Sequence, residues 1–247
     1  MADGDAAEFY GTARGAVAAR LLRARFQALW PDLSGQAVLG VGHAGPYLRL
    51  WRDQAYRCVC AAPDDDAPDR WPAFGANLAC AVEEGALPLP DLSFDRVLLV
   101  HGLEAAWNPR VLLRELWRVL KDDGRLLVVA ANRRGMWAHL DSTPFGQGRP
   151  YSPGQIERLL GAGLFRIERR DAALWVPPAP WRPLLRSAPL WERTGRFFAP
   201  GFAGVTITEA AKDAYAALPL RPARRRRVLA ESRAFGAAGF DPPLSHR

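Results

Sequence analysis

Lysine is nearly missing from this chain: two residues, Lys121 and Lys212, stand against 31 arginines in 247 positions. Cysteine is almost as scarce. Three thiols, Cys58, Cys60 and Cys80, are too few for a disulfide framework, and no histidine stands obviously close enough to complete four tetrahedral metal ligands. They read as small buried hydrophobes in a reducing, cytoplasmic setting, with no metal expected. No apolar run approaches the ~18 residues that a membrane span needs. The opening MADGDAAEFY is acidic and lacks an apolar core, so no signal peptide is expected. Repeats at a period of 20–50 residues are missing as well, which excludes a solenoid.

What the chain does have is apolar mass and positive charge. Hydrophobic residues make up 49% and tryptophans number nine, enough to bury a sizeable core. The net charge of +7 raises the question of nucleic acid, so its location matters. Residues 220–247 hold seven arginines against Glu231 and Asp241, a balance of +5, which leaves +2 for residues 1–219. The basicity is therefore mostly a tail, and the arginine excess fits a GC-rich, bacterial-type coding bias. The tail also lacks aromatics interleaved with Arg224–Arg227 for base stacking, so no specific nucleic-acid partner is expected. The domain is expected to end near 219, with a loose tail over 220–247.

Along residues 1–219 helical and strand patterns alternate. Apolar spacing predicts one N-terminal helix over 6–30. Short apolar runs predict strands at 36–41, 56–62, 78–82, 94–100, 125–131, 164–175 and 204–210. Helices are predicted after the GVGHAG turn (46–54), at 109–120 and at 153–160. This order points to an α/β fold with a doubly wound, mostly parallel, seven-stranded sheet. Two long connections stand out. Residues 132–151 follow the fifth strand and should rim the crevice at the strand ends. A tryptophan- and proline-rich insertion over 176–200 precedes the last strand and reads as a lid or packing segment.

The segment CAVEEGALPLPDLSFDRVLLVHGLEAAWNPRVLLRELWRVLKDDGRLLVV carries an acidic residue, a Leu-Pro-apolar-Pro-Asp turn, Ser-Phe-Asp, an apolar strand, His-x-Leu-Glu, an arginine-rich helix ending Val-Leu-Lys, and a glycine turn. In order and spacing this resembles the middle of class I S-adenosylmethionine-dependent methyltransferases over roughly residues 36–131. The resemblance implies a Rossmann-like fold and S-adenosyl-L-methionine as cofactor. It implies transfer of a methyl group, here to a small molecule.

On that resemblance the cofactor would lie against the turn Gly40, Gly42, His43, Ala44 and Gly45. It would pass the end of strand two at Ala62 and Asp64, the acidic pair Glu83 and Glu84, and the pocket floor at His101 and Leu103. His101 is the candidate catalytic base, since histidine titrates near neutrality. The family pattern has an acidic residue where Gly40 stands, glycine where Ala44 stands, and an Asp or Glu at the end of strand two, where this chain reads Cys60-Ala61-Ala62-Pro63. The Asn/Asp-Pro-Pro-aromatic motif of the members that methylate bases is missing after strand four. A second expectation follows from these departures: a methyltransferase-fold protein without cofactor, acting as a binding or regulatory partner, with the 177–200 insertion as its surface for another protein.

Overall fold

The computed structural model describes residues 3–63 and 70–213. Its centre is a seven-stranded sheet: β1 (Ala37–Gly42), β2 (Arg57–Pro63), β3 (Ala79–Val82), β4 (Phe94–Val100), β5 (Leu120–Ala131), β6 (Phe165–Ala173) and β7 (Val205–Lys212). The order across the sheet is β3-β2-β1-β4-β5-β7-β6. All pairings are parallel except those of β7, which runs antiparallel to both β5 and β6. The doubly wound expectation is met, with all seven strands at or close to their predicted positions. β5 starts five residues early, at Leu120, where a register shift between Phe94 and Arg96 lets the Lys-Asp-Asp-Gly stretch join it.

Near-continuous apolar strands are what a sheet covered on both faces requires. Alternation assigns the side chains: Val38, Leu98, Val100, Leu127 and Val129 enter the core on one face, and Leu39, Val41, Val97, Leu99, Leu126 and Val128 that on the other. The second face is covered by α5 (Pro109–Val119) and α6 (Pro153–Ala162). Asn108 caps α5 by accepting from the N–H groups of Arg110 and Val111, and Ser152 with Gln155 forms a capping box on α6.

The first face is covered by α1 (Asp3–Gly11), α2 (Ala13–Leu29), the single turn α3 (Gly45–Leu48) and, in the insertion, α7 (Arg182–Arg186) and α8 (Ala188–Phe198). A final short turn, α4 (Gly102–Ala105), follows β4.

Two helical expectations need correction. The N-terminal helix is two, because the Thr12 side chain accepts from the Gly15 N–H and starts a new helix there. The helix expected over 46–54 survives only as α3: beyond Leu48 the chain continues in turns that bury Trp51 beside Trp30. Cys58 and Cys60 are buried as expected, and burial pushes their thiols up to about 12 and about 11. Cys80 is half-buried. The tail over 220–247 lies outside the described residues.

Candidate active site at the ends of β1 and β4

In an open α/β sheet the crevice forms where the strand order reverses, beyond the carboxyl ends. Here that point lies between β1 and β4. Gly42 ends β1 with φ of 69°, and a Cβ on it would stand 2.4 Å from the Val100 carbonyl oxygen. Only glycine fits there. The next residue, His43, donates its backbone N–H to that same carbonyl at 2.9 Å, so the turn after β1 is pinned to the end of β4.

Gly40 is forced by packing. A Cβ there would lie 2.6 Å from Leu48 Cδ1 and 2.7 Å from Ala44 Cβ, so the acidic side chain of the family pattern has no room. Ala44 is fully buried and starts α3 by accepting from Tyr47 and Leu48 N–H. The Gly45 carbonyl accepts from the Trp71 indole at 3.0 Å.

The side chains at this junction form a buried polar chain. The Tyr47 hydroxyl donates to Tyr10 Oη at 2.8 Å, and Tyr10 Oη lies 2.9 Å from His101 Nε2. Burial pushes both phenol pKa values above the ordinary range, so each keeps its proton at neutral pH. The network therefore assigns Tyr10 as donor to Nε2 and places the imidazole proton on Nδ1. His101 Nδ1 is buried without a hydrogen-bond partner, 3.9 Å from Glu104 Oε1. Glu104 is itself buried. Its Oε1 accepts from the Ala131 N–H at the end of β5, while Oε2 has no partner.

His101 has φ of 56°, a left-handed conformation sparsely populated outside glycine, at a cost on the order of 1–3 kcal/mol. Beside it the Tyr10 ring stacks on His43, with centroids 4.8 Å apart and planes 8° from parallel. Burial, then the nearby His101, lower His43 to about 4, so it is neutral, and its Nε2 is buried without a partner.

The structure thus brings together Gly42, His43, Ala44, Gly45 and His101, with Gly40 beneath them. Leu103 is buried next to them, its carbonyl accepting from the Tyr151 hydroxyl at 3.2 Å. The other candidates stand apart. Ala62 is buried in β2 opposite Ala81, and Asp64 lies outside the described residues. Glu83 is exposed just beyond β3. Glu84 is committed elsewhere: its carboxylate accepts from the Trp107 N–H at 3.0 Å and the Asn108 N–H at 3.4 Å, holding the start of α5.

Tyr10, Tyr47 and Glu104 were not among the sequence candidates. Glu104 had a signal, since the His-x-Leu-Glu run puts it one turn after His101. The tyrosines had none, because nothing in a helical pattern says which side chain will reach a strand end ninety residues away. The 132–151 connection rims the site as expected, and Trp137 and Phe145 anchor it in the core against Phe9.

Comparison with known proteins adds a second line of observation. Residues 38–128 match the model of a family described as a methyltransferase domain. An uncharacterized protein of Mycobacterium tuberculosis is 32% identical over 111 residues, which span 42% of this chain and 39% of that protein. The match thus covers well under half the length of its curated relative. Among solved structures, a chain in the complex of the Haloferax volcanii Trm112 methyltransferase activator with a methyltransferase is similar at TM-score 0.62. It has 17% identity, and the likeness covers 86% of this chain and 99% of that one. A SAM-dependent methyltransferase from Archaeoglobus fulgidus is similar at TM-score 0.55 and 17% identity, over 78% of this chain and 94% of that one.

Proposed function

We propose that this chain, which carries a class I S-adenosylmethionine-dependent methyltransferase domain, moves a methyl group to a small molecule whose acceptor atom must shed a proton. The observation that carries the reading is the buried chain Tyr47–Tyr10–His101 at the β1/β4 junction, backed by Glu104.

The cofactor, when bound, supplies an activated methyl group for direct displacement, so positioning and desolvation can do most of the work. The residues present fit it at two places. Gly42 brings bare backbone to the crevice, and the partnerless His43 Nε2 is a buried polar atom in want of a ligand. In this reading the exposed Glu83 beyond β3 would take the far end of the cofactor. The ribose hold is thinner: among the described residues β2 ends in Ala61, Ala62 and Pro63, with no carboxylate.

The protein's own part is proton management. As the acceptor loses its proton to Tyr10 Oη, Tyr10 passes its own to His101 Nε2. The imidazolium so formed is stabilised by Glu104, whose buried carboxylate is 3.9 Å from Nδ1. The strained backbone of His101 holds the ring in that place.

The thin ribose hold, with Tyr10 lying over the turn, favours a second reading: a fold that binds no cofactor and serves as a regulatory partner. Calorimetric titration with S-adenosylmethionine separates the two. Roughly micromolar affinity supports the enzyme, and no heat at millimolar ligand overturns it in favour of the second. With binding in hand and an acceptor found by screening, His101→Ala should lower kcat roughly a hundred- to ten-thousand-fold with cofactor affinity little changed. An unchanged kcat would remove the histidine from the chemistry.

A further inference from the structure

The insertion helix α8 is turned inside out. Ala188, Glu192 and Gly195, spaced i, i+4 and i+7, form its inner side. Glu192 is buried and accepts from the Trp175 N–H at 2.8 Å, with Arg25 at 3.7 Å. Gly195 packs so closely on Trp175 that a Cβ would lie 2.5 Å from it. The outer side holds Leu190, Trp191, Phe197 and Phe198, at i, i+1, i+7 and i+8. With Trp181 and Phe202 on either side of the helix, these six large apolar side chains are between 40% and 80% exposed. The polar residue is inside and the aromatics are outside, the reverse of what a helix packed on a soluble core needs.

The exposed charges along the helix are cationic, with Arg196 alone paired, to Asp171 of β6 at 2.7 Å. Residues 181–202 carry Arg182, Arg186, Arg193 and Arg196, all exposed, and the one carboxylate among them, Glu192, is buried. We propose that this face is a docking surface for an anionic lipid bilayer, with the aromatics entering the headgroup boundary and the arginines meeting lipid phosphates. Trp, Phe and Leu on one side of a helix with arginine flanking them is the composition that lies in such an interface.

A second copy of the chain fits poorly, since a two-fold contact through this patch would set arginines against arginines. Phe197 and Phe198, each 80% exposed, protrude from the surface, which suits insertion into a soft layer better than a flat contact. The association is peripheral, as no described helix is long and apolar enough to cross a membrane.

The patch also stands at the crevice end of the sheet. The β6–β7 connection leaves β6 at the same end as β4 and β5, and it is tied to the site by Trp137 Nε1 donating to the Val176 carbonyl at 2.8 Å and Arg14 to that of Pro178 at 3.0 Å. Docking would therefore hold the crevice rim near the bilayer.

The experiment is flotation of the full chain with vesicles of two parts phosphatidylcholine to one part phosphatidylglycerol, against phosphatidylcholine alone. Binding to the anionic vesicles is expected. Phe197→Ser combined with Phe198→Ser should weaken it by roughly tenfold for each phenylalanine removed. Arg182→Ala, Arg186→Ala and Arg193→Ala should each weaken it roughly fivefold. The double phenylalanine variant keeps every charge, including Arg224–Arg227. Binding that survives it unchanged runs through charge alone and overturns the proposal. So does no flotation with either vesicle, or a dimer seen by light scattering that the same variant dissolves.

Discussion

The two faces of the sheet obey different rules. On the α5–α6 face the core is almost wholly aliphatic, and α5 buries Leu112, Leu113, Leu116 and Val119 while showing Arg110 and Arg114 to solvent. On the α1–α2–α8 face the core is built from Phe9, Phe26, Trp30, Tyr47, Trp51, Trp137 and Phe145, with His101 and Glu192 buried and His43 half-buried at its edge. There α8, as long as α5, points its apolar side outward. The first face holds the fold together. The second spends stability on unpartnered polar atoms and exposed aromatics, a pattern found where a protein has something to bind.

The largest effect should come from the obedient face. Leu116 is fully buried between α5 and the sheet, so Leu116→Ala removes its transfer energy and leaves a cavity. A loss of about 2–5 kcal/mol is expected in urea unfolding, with m unchanged. Less than about 1 kcal/mol would mean that α5 repacks freely and that the two faces differ less than their composition suggests.

A smaller effect should expose the other face. His43 is held at about 4 in the folded chain against an ordinary value of 6.5, by burial and by His101, with the Tyr10 ring stacked over it. Its folded pKa is depressed, so the neutral ring's contribution is present above pH 6.5. It is lost as the unfolded chain takes up a proton between pH 6.5 and about 4. Stability should fall by roughly 2–4 kcal/mol over that window, most of it above about pH 5, before Asp95 and Glu115, whose ion pairs lower them, add their own loss as the unfolded carboxylates protonate. His43→Gln should flatten the fall. A fall of equal size in the variant would place its origin in another group.

These two faces were unequally legible in the sequence. Strand positions and α5 could be read because both depend on local period: five apolar residues in FDRVLLV, or Leu112, Leu116 and Val119 on one side of a helix, suffice. The glycine turn was read as a ligand loop, while the structure gives Gly42 its reason in the Val100 carbonyl and Gly40 its reason in Leu48 and Ala44, none of them marked in the sequence pattern. His101 was legible by its position at a strand end. Its partner Tyr10 was not, because a ninety-residue contact leaves no local trace. In the insertion, which reads as a lid or packing segment, Leu185, Ala188 and Trp191 recur at helical spacing. Leu185 and Ala188 are buried but Trp191 is exposed, since period shows that a helix has two sides and not which of them the rest of the chain will cover.

That last ambiguity gives the smallest expected effect and the sharpest form of the comparison. Phe197 and Leu116 occupy helices of equal length, and each is truncated to alanine by removing apolar atoms. At Leu116 those atoms leave a packed interior. At Phe197 they leave water, because the ring is 80% exposed and stands edge to face with the equally exposed Phe198, 5.0 Å away. Alanine also suits a helix better than phenylalanine by a few tenths of a kcal/mol. Phe197→Ala should therefore change the unfolding free energy by no more than about 0.5 kcal/mol in either direction. A loss above about 1.5 kcal/mol would show that the ring is covered in solution by a segment of this chain, and the outer side of α8 would then be core like the inner side of α5. Near neutrality leaves the aromatic side free for a partner outside the chain.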